Sequence, residues 1–333
     1  MISNLLLGFS VLLVVLLAGI LIAGQVARRI LGKRFPPPGT MLELQGYRLH
    51  VRCEGEGPAT VLLESGLSDF SLQWSRLQAL IAQATRTCSY DRAGLGWSDR
   101  SPNPPTIANA VGDLHSVLQS SGGQAPLILV GHSYGSLLVR MYAQQYPQNI
   151  KAIVLVEPAN EFMAERIPGY LAALDAAAEQ FRKLSLLASL GIVALTTKKV
   201  PANQLDGEAL QVYRAVVASR DFLKAAAAET VEMPKNLRVM QAFPQTALAK
   251  IPVVIISRAQ PEPIPGLPDN GGQALEGTWA ALQADLVTRL DARQVIAEQS
   301  GHYVQLSQPE LVYECVKPFI YGDPPGNPGR ASK

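Results

Sequence analysis

Ser133 stands inside Gly131-His132-Ser133-Tyr134-Gly135, and a serine held between two glycines in this way can attack a carbonyl carbon once a base takes its proton. The apolar run Leu127-Ile-Leu-Val130 before it reads as a buried strand. Ser136 to Gln145 after it reads as a helix, with Leu137, Leu138, Met141 and Tyr142 on one face. A strand that turns sharply into a helix leaves no room for side chains beside the turn, which accounts for a glycine on either side of the serine. The turn then pushes the hydroxyl out at the carboxyl end of a parallel sheet.

The serine needs a base, and the chain has four histidines. His50 falls in an opening hairpin, His115 inside a helix and His132 on the rigid turn itself, and these three read as structural. His302, in Ser300-Gly301-His302-Tyr303-Val304, follows the last strand on a loop at the same sheet edge as Ser133, and it is the expected general base. Attack creates a negative oxygen that needs two fixed N–H donors. One is the amide of Tyr134, where the helix start favours negative charge. The other is expected just after Glu64-Ser65-Gly66, with the amide of Leu67 as the choice.

The elements that must position these residues follow from periodicity. Met41 to Leu44 and Tyr47 to Arg52 alternate around Gln45-Gly46 as an antiparallel hairpin. Thr60 to Glu64, Thr87 to Tyr90, the strand before Ser133, Lys151 to Val156, Pro252 to Ser257 and Gln294 to Ala297 read as strands, separated by helical patterns. That alternation implies an α/β fold, a mostly parallel sheet covered by helices on both faces, with the hairpin extending one edge. From Asn160 to Lys250 it lapses into an Ala- and Leu-rich stretch with helical spacing alone, expected as a cap over the carboxyl ends of the strands. Asp91 and Arg92 are expected to form an ion pair that fixes the loop after their strand, and Trp97 is expected either to line a pocket or to pack.

Leu5 to Ala27 carries no charge and is long enough to cross a bilayer as a helix, and it lacks the basic start and the small-x-small site of a cleaved signal. It reads as an N-terminal transmembrane helix in contact with membrane lipid. Arg28, Arg29, Lys33 and Arg34 after it favour a cytoplasmic position for the rest of the chain. Phe35-Pro-Pro-Pro-Gly39 reads as a stiff spacer lifting the next domain from the membrane. The expected organisation is an anchor over 1–27, a basic, Pro-rich linker over 28–40, a core over 41–158 and 251–321, a cap over 159–250 and a flexible tail over 322–333. A net charge of +2 over 333 residues provides no field to gather nucleic acid. Cys53, Cys88 and Cys315 have no metal-binding or redox spacing and read as buried, inert thiols, and no metal site is expected.

Gly131-His-Ser-Tyr-Gly135, Tyr90-Asp-Arg-Ala-Gly-Leu-Gly-Trp-Ser-Asp99 and Ser300-Gly-His302, in that order and with a helical insertion before the last third, resemble the α/β-hydrolase superfamily from about Leu42 to Phe319. The resemblance implies a serine hydrolase that works without a cofactor through an acyl-enzyme, and it leaves the substrate open. Serine at the elbow, where those enzymes have aspartate, argues against the dehalogenases and epoxide hydrolases of the superfamily. Many members have His-Gly where this chain has Glu64-Ser65-Gly66. Many also carry the acid of the triad after the strand corresponding to Pro252–Ser257, where this chain runs into Ser257-Arg258-Ala259. Some carry it one strand earlier, where Glu157 stands, and a carboxylate at the tip of an apolar strand needs a partner such as His302. Glu157 is the preferred acid, Asp269 its main rival and Glu262 a third candidate. The expected reaction is cleavage of an ester or thioester of a small apolar substrate. Carbon–carbon bond hydrolysis and peptide cleavage use the same triad, and a non-catalytic binding protein on a hydrolase scaffold is the reading outside the enzymes.

Overall fold

The computed structural model describes residues 2–44, 46–120, 126–200, 204–264, 267 and 272–322. Asp269 and the tail from 323 onward lie outside the described residues. Eight strands form one sheet: β1 (Thr40–Glu43), β2 (Arg48–Glu54), β3 (Thr60–Glu64), β4 (Arg86–Tyr90), β5 (Leu127–His132), β6 (Ile150–Val156), β7 (Val253–Arg258) and β8 (Arg293–Ala297). Their order is β1-β2-β4-β3-β5-β6-β7-β8. The pairs β1–β2 and β2–β4 are antiparallel and all the others parallel, so the hairpin does extend one edge.

Every residue of β3 and of β5 is buried, which their unbroken apolar runs require of strands covered on both sides. Alternate residues go to opposite faces. Leu62, Leu129, Ile153 and Ile255 pack under α3 (Ile107–Ser120), α4 (Gly135–Gln145) and α10 (Gly272–Arg289). Val61, Ile128, Val154 and Ile256 pack on the other face, under α2 (Ser75–Ile81) and α12 (Pro309–Tyr321). Leu137, Leu138, Met141 and Tyr142 of α4 all enter the first of these cores, as their spacing requires.

Between β6 and β7 the regular elements are helical: α5 (Met163–Arg166), α6 (Tyr170–Ser189), α7 (Ile192–Leu195), α8 (Gly207–Val217) and α9 (Arg220–Ala242). The two long ones, α6 and α9, pack against each other, and Phe222 and Ala226 of α9 bury against Phe70 and Leu95 from the loops after β3 and β4. These helices therefore cover the edge where the parallel strands end.

The N-terminal helix α1 (Ile2–Arg34) contains the 29-residue stretch Leu6–Arg34, whose most apolar window has a mean hydropathy of 2.9 and is not buried at all. That is long and apolar enough to cross a membrane. The segment after it is not a free spacer. Trp97 Nε1 donates to Phe35 O at 3.0 Å, and the Gly39 amide donates to His50 Nε2 at 3.0 Å, so both ends of the Pro-rich stretch are tied to the sheet domain.

The cysteine expectation is corrected. Cys53 of β2 and Cys88 of β4 are direct partners in the antiparallel register and form a disulfide, and Cys315 alone is a free, buried thiol. Sequence spacing hid the pair because β2 skips β3 to reach β4.

Candidate active site

The turn between β5 and α4 holds Ser133 at φ 49°, a left-handed conformation that a non-glycine residue adopts only when its surroundings enforce it. Three backbone bonds do so: the Ser133 amide donates to Val156 O, and its carbonyl accepts from the amides of Ser136 and Ala159. The glycines behave as their positions demand. A Cβ on Gly131 would come within 2.8 Å of Gly135 O and of Val139 on α4, and one on Gly135 within 2.6 Å of Ser65 O at the end of β3. The strand and helix can cross here only without those side chains.

His302 and Glu157 meet. His302 Nδ1 lies 3.2 Å from Oε2 of Glu157, which is fully buried at the tip of β6 and itself sits at φ 46°. The carboxylate also accepts the Arg258 amide at 2.8 Å on Oε1 and Trp279 Nε1 at 3.1 Å on Oε2. The Arg258 guanidinium stands 3.5 Å away, stacked over the Trp279 ring. Glu262 touches the same histidine at a different atom, accepting its backbone amide and leaving the ring to Glu157. Ser133 Oγ makes no direct hydrogen bond among the described residues; such contacts commonly tighten only when substrate is bound.

His132 links the two loops. Its Nε2 donates to His302 O at 2.9 Å, its ring lies 4.7 Å from that of His302, and its Nδ1 is buried with no partner among the described residues. Burial, helped by the nearby His302, holds it well below the usual histidine pKa, so it stays neutral and acts as a donor. His50 is bound by Asp91 at 2.9 Å and by the Gly39 amide, and His115 stacks on Tyr146 at 4.0 Å. Neither approaches the turn through any of these contacts.

The amides of Leu67 and Tyr134 have no acceptor among the described residues. The loop that carries Leu67 is gripped from behind by Arg92. That guanidinium donates to Ser65 O at 2.8 Å and Gly66 O at 2.6 Å, and it is paired at 2.7 Å with both Glu64 and Glu229. Glu229, from α9, also accepts the Ser68 amide at 2.6 Å. Burial works against the Arg92 charge, but Glu229 and Glu64 outweigh it and lift its pKa well above the usual guanidinium value. The expected Asp91–Arg92 ion pair is therefore not formed: Asp91 turns to His50 and to the amides of Ser71 and Trp97. Trp97 packs beside His50 and Phe70.

Residues 59–248, more than half of the chain, match the sequence profile of the alpha/beta hydrolase fold family. The chain belongs to that family. Among curated relatives, a probable transporter, efuK, of Hormonema carpetanum is 31% identical over 136 residues, which cover 38% of this chain and 20% of that protein. The chain spans less than half the length of the first curated relatives it matches. The Cif epoxide hydrolase from Acinetobacter nosocomialis superposes with a TM-score of 0.67 at 16% identity, over 90% of this chain and 97% of that one. An esterase from Thermogutta terrifontis superposes with a TM-score of 0.59 at 17% identity, over 84% and 96%. At such identities these structures establish the α/β-hydrolase fold alone.

Within that fold, several polar residues around the site had no sequence motif to announce them. Trp279 comes from α10 and Glu229 from α9, 122 and 137 residues from the groups they bind. Asp69 is another. Oδ1 accepts from Gln73 at 3.1 Å, and a Cβ on Gly66 would lie 3.4 Å from Oδ2 and 2.9 Å from His132 Nδ1. Burial pushes its pKa up to about 6, against the opposing pull of Gln73 and Arg92. The one available signal was Glu64 itself, a carboxylate ending an apolar strand, which needs a cation such as Arg92.

Proposed function

We propose that this chain is a membrane-anchored serine hydrolase that cleaves a carboxylic ester or thioester of an apolar substrate through an acyl-enzyme intermediate. The reading is carried by the contact of His302 Nδ1 with buried Glu157, on a loop whose carbonyl is held by His132, the neighbour of Ser133. In the proposed triad Nδ1 donates to the Glu157 carboxyl oxygen and Nε2 is left to act as base.

Ser133 Oγ attacks the substrate carbonyl carbon as its proton passes to His302 Nε2. The oxyanion is held by the amides of Leu67 and Tyr134, the latter at the start of α4, whose dipole favours negative charge there. As the tetrahedral adduct collapses, its C–O or C–S bond breaks and the leaving alcohol or thiol takes the proton from His302. Water then attacks the acyl-enzyme by the same route, giving the carboxylic acid and restoring Ser133. The steps need neither metal nor cofactor. Serine at position 133 favours acyl transfer over epoxide opening, in spite of the likeness in fold to an epoxide hydrolase.

One feature supports an apolar substrate. The apolar stretch of α1, taken as spanning a bilayer through residues 5–27, would hold the enzyme where lipophilic esters concentrate. The basic residues 28, 29, 33 and 34 favour a cytoplasmic enzyme and the Cys53–Cys88 bond an oxidising side, so the thiol state of that pair in intact cells decides the orientation.

The test is labelling of the full chain in detergent micelles with a fluorophosphonate, with the adduct located by mass spectrometry. A single adduct on Ser133, absent from Ser133→Ala, is expected. Folded protein that takes up no probe would overturn the enzyme reading and leave a binding protein on a hydrolase scaffold.

A further inference from the structure

The apolar helix α1 does not leave the protein at its last charged turn. Gly24 is buried against Gly191, at the start of α7: a Cβ on Gly24 would come within 2.8 Å of the Gly191 carbonyl, so the two backbones touch. Gln25 Nε2 donates to Ser189 O at 2.9 Å beside that contact. Gly24 precedes Arg28 by four residues, so at 1.5 Å of rise per residue the contact lies about 6 Å to the apolar side of the first basic residue. Whatever depth α1 has in a bilayer, Gly191 shares it.

The residues around Gly191 suit that depth. Leu186, Leu187, Leu190 and Leu195 are each 41–67% exposed, an apolar group left uncovered by the described residues. Lys198 and Lys199 follow at once, exposed, as do Arg28, Arg29, Lys33 and Arg34 on α1. Leucines bounded by cations are the composition of a surface that sits at the level of acyl chains and phosphates.

We propose that the end of α6 together with α7 is a second membrane contact, a shoulder whose leucines insert into the headgroup–acyl boundary of a lipid bilayer beside α1. This inference rests on α1 spanning the bilayer. It adds that this end of the cap is itself immersed in lipid. The Pro-rich segment after α1, tied to Trp97 and His50, has no slack to lift the domain away.

The test uses the full chain in phosphatidylcholine–phosphatidylglycerol vesicles, with a polarity-sensitive fluorophore on Leu190→Cys, on Val14→Cys within α1, or on exposed Glu310→Cys of α12, and nitroxide-labelled lipid as quencher. Quenching at 190 several-fold above that at 310, with a blue-shifted emission, is expected. Quenching at 14 with none at 190 would overturn the shoulder and leave the anchor standing. No quenching at 14 would remove the anchor reading, and the shoulder with it. A blue shift at 190 that follows the protein-to-lipid ratio and ignores the quencher would assign the leucines to a second copy of the chain, and would also overturn the proposal.

Discussion

Replacing Glu157 with glutamine changes one oxygen for an NH2 and tests the assignment of the acid at nearly constant shape. Three donors converge on the native carboxylate: the Arg258 amide at 2.8 Å on Oε1, and Trp279 Nε1 at 3.1 Å and His302 Nδ1 at 3.2 Å on Oε2. Glutamine has a single acceptor oxygen. The Arg258 donor is backbone and cannot turn away, so the oxygen of Glu157→Gln should stay with it, leaving the NH2 to face His302. His302 must then accept at Nδ1, and its proton moves to Nε2, the atom that has to receive the proton of Ser133. A histidine held in the wrong tautomer costs about 10⁴ in kcat. That is about 5.5 kcal/mol of transition-state stabilisation. Trp279 Nε1 already lies 3.4 Å from Oε1 and can keep the retained oxygen as its acceptor, so a thermal melt should register little change. The assay is hydrolysis of p-nitrophenyl esters by the full chain in micelles, with kcat and KM resolved and the fluorophosphonate labelling rate measured alongside. KM should stay near the wild-type value while kcat and labelling collapse together. A folded variant that keeps more than about a tenth of wild-type kcat would refute the tautomer argument and return the acid to Asp269 or Glu262.

Three further outcomes are expected. Glu229→Gln removes one charge from the Arg92 cluster and loosens the loop bearing Leu67, so kcat should fall by about 10–100-fold with little change in KM, less than the loss of a whole oxyanion donor; an unchanged kcat would make the cluster purely structural. Asp69 has a folded pKa of about 6, raised from 3.8 chiefly by burial, so its stabilising protonated form is fully present below pH 3.8 and lost as pH rises through 6. Asp69→Asn should therefore match the wild type at pH 4 and exceed it by about 3 kcal/mol at pH 7 in denaturation curves, and a difference independent of pH would reject that account. Cys53→Ser opens a link spanning 35 residues and should cost about 3–4 kcal/mol of stability under oxidising conditions and nothing in reductant.

Much of this architecture is legible in the chain because its parallel strands are short apolar runs with no polar interruption, a pattern that only a doubly covered sheet tolerates. Ser133 is legible for a related reason: two glycines bracket it where a strand and a helix cross too closely for any Cβ. What the sequence hides is pairing at a distance. The β2–β4 neighbourhood that joins Cys53 to Cys88 requires knowing that β3 lies on the far side of β4. The Arg92–Glu229 pair requires knowing where α9 crosses the loop after β3. Asp91-Arg92 looked like a pair because the residues are adjacent in sequence, yet neighbours at a strand end point to opposite sides, and each found its partner elsewhere.

The same parity bears on how Glu157, the proposed acid, can act from the end of β6. Ser133 and Glu157 follow the ends of adjacent parallel strands, and both are bent to positive φ, so each side chain is turned off its strand direction. The Glu157 amide is fixed by Ile256 O of β7, and the Arg258 amide, at the end of β7, reaches back to Glu157 Oε1. Where many relatives set a carboxylate after this strand, β7 here supplies a donor instead. Glu262, in the loop after β7, accepts the backbone amide of His302 and leaves the ring to Glu157, so the two carboxylates bind the histidine at different atoms. Ser257-Arg258-Ala259 is thus more than a missing acid. A residue there whose amide is aimed at the tip of β6 holds a buried glutamate one strand away, and it is a pattern that can be sought in sequence wherever the usual acid is absent.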